Sequence, residues 1–222
     1  MLLKNLLYMK TTELTNIIEE NAPQLINNID FESIELYNTL KSEFEKSDVT
    51  NNVKFRSAFS RFYGLDNVGF NEDFKVKYFK LIEHYRNLTA LDIEKVFIDL
   101  ERIKNFEGKD SVILSFASKL ICTVDDSIPI FDKEVCDVFS FTEPLDIDFG
   151  MAIDILLNQL EIMQDHFNEI IERNLLPSTI KLFDEKFIGN NLSPIKKLDF
   201  IFWSFGKLKV LEDHIDQIKV LH

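Results

Sequence analysis

The sequence predicts an all-α fold, a compact two-lobed arrangement of about ten helices. Three observations carry this. Apolar residues recur with a 3.6-residue period through most of the chain. Only six glycines and five prolines occur in 222 residues. The few glycines, prolines, serines and asparagines present fall where helix caps belong. Apolar residues make up 45% of the chain, enough to bury one sizeable core.

Taken in order, "FRSAFSRFYGL" places Phe55, Ala58, Phe59, Phe62 and Tyr63 on one helical face, with Gly64 as its C-cap. Asn71 caps a helix whose inner face is Phe74, Tyr78, Leu81, Ile82 and Tyr85. Ile93, Val96, Phe97, Leu100 and Ile103 make another stripe, and a long helix is expected from about Ile147 to Glu172. In "LSPIKKLDFIFWSFGK", Ser193 is the N-cap, Pro194 the first helical residue and Gly206 the terminator. The one strand-like piece is "SIPIF", residues 127–131. Residues 21–30 and 142–148 are the expected breaks of a single helical domain, with one lobe of about 30–145 and another made of 146–222 together with the N-terminal helix.

No apolar run reaches the length of a membrane span, and "MLLKNLLYMK" is interrupted by Lys4 before it reaches the length of a signal peptide's apolar stretch. Cys122 and Cys136 sit in apolar patterns, as reduced core thiols do. A cytoplasmic protein with no membrane partner, no disulfide and no cofactor is the expectation. The formal charge of −13 excludes a globally basic nucleic-acid binder. The charge is uneven, however. Residues 54–86 hold seven basic against four acidic side chains and 173–209 hold seven against three, which leaves −20 on the remainder. A local basic face on an acidic body is compatible with this, and Lys54, Arg56, Arg61, Lys196 and Lys197 are its candidate phosphate contacts.

Several chemistries lack their residues. No glycine pair has dinucleotide-loop or phosphate-loop spacing, and there is no GxSxG turn. His84, His166, His214 and His222 are scattered. The set Asp165, His166 and Glu169 reads as a solvated acidic face, so no metal site is assigned. Trp203, inside an apolar run, is read as core, with base stacking as the alternative.

One stretch stands apart. "SVILSFASKLICTV", residues 111–124, is apolar nearly all round, as buried helices are. Lys119 lies at the edge of its narrow small-residue arc of Ser111, Ser115, Ser118 and Cys122. Either its amine snorkels to water or pairs with Asp125 or Asp126, or it is partly dried, which lowers its pKa and makes it a nucleophile. Asp132, following "IPIF", reads as an N-cap, held rigidly enough to serve chemistry as well.

"SFASKL", "IPIFDKEV" and the later "KLDFIFWSFGK" together resemble a bacterial branch of the helix–hairpin–helix DNA glycosylase superfamily, with an 8-oxoguanine-glycosylase-like fold. The similarity runs over about residues 90–207 and is concentrated in 115–135. It implies a two-lobed helical protein that flips a damaged base out of duplex DNA. It implies that Lys119 attacks the deoxyribose C1′ and forms a Schiff base, and that Asp132 stabilises positive charge on the sugar. It also implies that backbone N–H groups around Ser115 and Ser118, at a turn or helix start, take a DNA phosphate. The other function considered is a catalytically inactive glycosylase-like protein that binds a protein partner as a regulatory or defence-linked factor, or as an acidic mimic of DNA.

Overall fold

The computed structural model describes residues 10–103, 110–141 and 147–208, the backbone alone over 110–114. The described residues form eleven α-helices and no strand. The first half comprises α1 (Thr11–Glu20), α2 (Ala22–Asn28), α3 (Phe31–Lys46), α4 (Val53–Tyr63), α5 (Glu72–Arg86) and α6 (Ile93–Ile103). The second comprises α7 (Asp110–Val124), α8 (Lys133–Val138), α9 (Phe149–Glu172), α10 (Pro177–Lys186) and α11 (Pro194–Lys207).

Local chemistry explains most boundaries. The Asn52 side chain accepts the Phe55 N–H at the start of α4, and Gly64 ends that helix with φ of 67°, a left-handed conformation that glycine adopts without Cβ strain. Asn71 opens α5 by accepting the Phe74 N–H at 2.8 Å. Ser193 caps α11 through the Lys196 N–H at 3.3 Å, with Pro194 in the first turn. The inner faces match the periodicity with two local differences. Phe79 rather than Leu81 is fully buried on α5, and Ile170 rather than Ile171 on α9.

Three expectations are corrected. The expected break at 21–30 is instead mostly helical: Ala22–Asn28 form α2, which packs on α10 and α11. Its C-terminal carbonyls are satisfied by the Lys186 ammonium, which donates to Ile26 O and Ile29 O at 2.8 and 2.6 Å. "SIPIF" is not a strand: Ser127 and Ile128 lie in a turn closed by the Ile128 N–H on Asp125 O, and residues 129–131 carry no regular structure. Gly206 does not terminate α11 but lies inside it. The expected break at 142–148 falls largely outside the described residues.

The buried side chains form two clusters. One joins α1, α2, the start of α3, α8, the second half of α9, α10 and α11, around Phe167, Phe183, Phe202 and Phe205. The other joins the rest of α3, α4 to α7 and the start of α9, around Phe55, Phe59, Tyr78 and Phe116. Both α3 and α9 belong to both clusters: Ile34 and Tyr37 face the first and Leu40 the second, while Ala152, Ile153 and Leu156 face the second and Leu160, Met163 and Phe167 the first. None of the described helices is long and apolar enough to cross a membrane.

Candidate functional site

A cavity of about 570 Å³ opens where the two clusters meet, walled by α3, α4, α7, α8 and α11. Lys119 and Asp132 both line it, with Arg61, Trp203 and Lys207.

Lys119 projects from the middle of α7, beside Phe116, whose ring centroid lies 4.2 Å from the ammonium. The ammonium makes no hydrogen bond or ion pair with any described residue. The two partners expected of a snorkelling lysine are engaged elsewhere. Asp126 pairs with Lys41 at 2.6 Å, and Asp125 accepts from Ser127. Burial lowers the Lys119 pKa below that of an ordinary lysine, against the opposing pull of Asp132.

Asp132 is the N-cap of α8 and accepts the Val135 N–H at 3.0 Å through Oδ1. Burial raises its carboxyl to about 7; the Val135 hydrogen bond works against this, Glu134 with it, and Lys119 against it. An amine moved down and a carboxyl moved up, acting on each other inside one cavity, is the pattern by which environments assign acid and base roles.

The extended segment before α8 sets where Asp132 stands. The Ser118 hydroxyl donates to Phe131 O at 3.0 Å, and the Ile130 N–H donates to Asp199 Oδ1 at 3.0 Å. Asp199 in turn pairs with Lys196 at 2.6 Å, and both are buried. A segment without a strand partner must find acceptors and donors for its backbone, and side chains of α7 and α11 supply them.

The other sequence candidates divide. Arg61 reaches the cavity wall and is paired with Glu32. Trp203 is half-buried rather than core, and its ring forms part of the wall, with the Lys207 ammonium 4.3 Å from its centroid. Lys54 is exposed on α4, and the Arg56 guanidinium lies over the Phe79 ring at 4.9 Å; neither lines the cavity. Lys196 is corrected as a phosphate contact: it is fully buried and committed to Asp199. Lys197 pairs with Asp184 at 2.6 Å and borders a different hollow, of about 160 Å³. Ser115 lines the cavity, but Ser118 is buried with its hydroxyl spent on Ser115 O and Phe131 O. The backbone role given to these serines is also corrected. They lie beyond the first turn of α7, where N–H groups are bonded within the helix. His166 Nδ1 lies 2.9 Å from the Thr11 hydroxyl, and Glu169 also binds Thr11.

Sequence reasoning passed over Asp199. Its signal was the Lys-x-x-Asp spacing on an otherwise apolar helix, which brings two charges together on a face that has no water.

The state of Asp132 has a measurable consequence. Because burial holds its folded-state midpoint near 7, ionising it costs the folded chain stability as pH rises from about 4 to 8. Asp132→Asn keeps an oxygen for the Val135 N–H and removes that cost. Urea unfolding should show equal stability near pH 4 and a gain for the variant on the order of 1–2 kcal/mol at pH 8, reduced from the full shift by cavity water. A difference that does not change with pH counts against the assignment.

Comparison of the chain with protein-family models, with curated proteins and with solved structures finds no match in any of the three. What the site does is therefore argued from its own chemistry.

Proposed function

We propose that the chain is a base-excision DNA glycosylase with an associated lyase step, working on a nucleotide extruded into the cavity between α4, α7, α8 and α11. One observation carries the reading: an amine that has no ion pair among the described residues and a carboxyl that titrates near neutrality share one hollow. The cavity volume is in the range of small-ligand sites, and the Trp203 wall suits a planar ring.

In this reading the neutral Lys119 nitrogen attacks C1′ of the extruded nucleotide. The bond from C1′ to the base breaks, its electron pair leaves with the base, and the base takes up the proton that the lysine nitrogen releases. Asp132, as carboxylate, stabilises the positive charge that develops on the sugar. The C1′–O4′ bond then opens, O4′ taking up a proton from water, to give a protonated imine. Water or a basic side chain removes a C2′ proton, a C2′–C3′ double bond forms, and the C3′–O bond pair leaves with the 3′ phosphate. Burial favours the neutral amine that the first step needs.

Borohydride reduces such an imine to a stable amine. Incubation with borohydride and duplex oligonucleotides carrying oxidised, alkylated or abasic sites should give a covalent protein–DNA adduct, and Lys119→Met should abolish it. Clean base release by the methionine variant points to a different nucleophile. The absence of adduct and of base release on every lesion removes the proposal.

A second reading, a glycosylase-like binding protein without catalysis, is favoured by a separate observation. The phosphate clamp implied around Ser115–Ser118 lies inside a helix, and Lys196 is sealed in the core. A gel shift separates the two. Binding to DNA that weakens steeply with salt supports the first reading. No DNA binding, with co-purification of a protein partner, supports the second.

A further inference from the structure

We infer that the buried Lys196–Asp199 pair, together with the Ser118 hydroxyl, is the positioning device for Asp132, holding the two peptide units that flank Ile130 and Phe131 so that the carboxyl stays in the cavity wall. The geometry is specific. Asp199 Oδ1 takes the Ile130 N–H, which belongs to the Pro129–Ile130 peptide, and Ser118 Oγ donates to the Phe131 carbonyl, which belongs to the Phe131–Asp132 peptide. The second of these planar units ends at the Asp132 nitrogen, so holding both units sets the direction in which the Asp132 side chain leaves the backbone.

Burial raises the Asp199 carboxyl, and the Lys196 ammonium works against this in favour of the ionised form that accepts the Ile130 N–H. Burial works against the Lys196 ammonium, but the carboxylate 2.6 Å away more than reverses that and keeps it charged. The pair therefore presents a fixed oxygen to Ile130. Lys196 also lies over the Tyr37 ring of α3 at 5.0 Å, which ties the pair to the opposite wall.

A buried ion pair is weak grounds for a stabilising role, since apolar residues of similar volume often serve as well. Its use here is as a hydrogen-bond acceptor for a segment that no strand supports. The charged groups that act on Asp132 are Lys119 from α7, Glu134 from α8 and Asp199 from α11, with Arg61 and Lys207 on the same cavity wall. The inference concerns the carboxyl itself, and only its kinetic consequence rests on the glycosylase reading.

Two double variants of the full chain test it, both removing the two charges. Lys196→Met with Asp199→Leu removes the acceptor for Ile130; Lys196→Met with Asp199→Asn retains one. Carbon-13 NMR of the Asp132 carboxyl reads its titration midpoint, and amide hydrogen exchange reads Ile130. In the leucine variant Ile130 should exchange at least about tenfold faster, and the Asp132 midpoint should fall by about one pH unit or more as the carboxyl gains water. In the asparagine variant both should stay close to the wild type. Ser118→Ala, which leaves α11 intact, should lower the midpoint in the same direction and serves if the leucine variant does not fold. A core variant such as Leu198→Ala, destabilised without touching the segment, should leave the midpoint alone.

An Asp132 midpoint that stays near 7 in the leucine variant or, failing that, in Ser118→Ala overturns the inference. So does an asparagine variant that loses as much as the leucine one. Because neither readout involves DNA, a normal NMR result with no borohydride adduct condemns the proposed function alone. An adduct with an unmoved midpoint condemns the positioning role alone.

Discussion

Replacing Gly206 by alanine should destabilise the chain by about 3 kcal/mol or more, even though alanine is the better helix former by about 1 kcal/mol. A Cβ on Gly206 would lie 2.2 Å from the Glu134 carbonyl oxygen and 2.8 Å from its carbon. Both are backbone atoms of α8, so no side chain can swing aside, and α8 must move away from α11. That movement reaches the site, because Asp132 is the cap of α8 and Glu134 lines the cavity. Urea unfolding checks the loss. The same variant should also lose the Asp132 titration near 7, since a displaced α8 wets its cap. A variant as stable as the wild type would mean that α8 and α11 are not in this contact in solution.

Lys196→Met alone should be the other severe change, costing about 3–5 kcal/mol, because the carboxylate of Asp199 is then left buried without its countercharge. The cost has a direction with pH. Burial already raises the Asp199 carboxyl, and without Lys196 it is raised further. The carboxyl therefore protonates as pH falls, and the defect shrinks. Urea unfolding at pH 8 and pH 5 should show the larger deficit at the higher pH. Adding Asp199→Leu should recover most of the loss, leaving the Ile130 N–H as the remaining unsatisfied group. A loss that is equal at both pH values, or that the second substitution deepens, would show that the pair is not ionised in the folded chain.

How far these features were legible varies with their physical origin. The helical faces were, because periodicity reports burial directly: Phe55, Ala58, Phe59 and Tyr63 are all buried on α4 as their spacing requires. Caps were legible for the same local reason, as at Asn71 and Ser193. Lys119 and Asp132 could be singled out from their neighbours, but that they share a cavity depends on how α7 and α8 pack, which no local pattern encodes. Gly206 shows the ambiguity most sharply. A glycine near the end of an apolar helix has the same appearance whether it stops the helix or lets another backbone approach. Lys196 and Lys197 look alike in sequence, yet one is sealed in the core and the other reaches Asp184, since adjacent helical residues point about 100° apart. Trp203 packs against the first cluster but is only half-buried, because an apolar run marks a helix with a buried face without saying which residue ends at its margin.

The two long rods shared by both hydrophobic clusters carry a mechanical consequence. Since α3 and α9 each anchor side chains in both halves, the halves cannot swing apart like a clamshell without snapping one of those rods. Widening the hollow around Lys119 by that route therefore requires bending or breaking a helix that is continuous through both clusters.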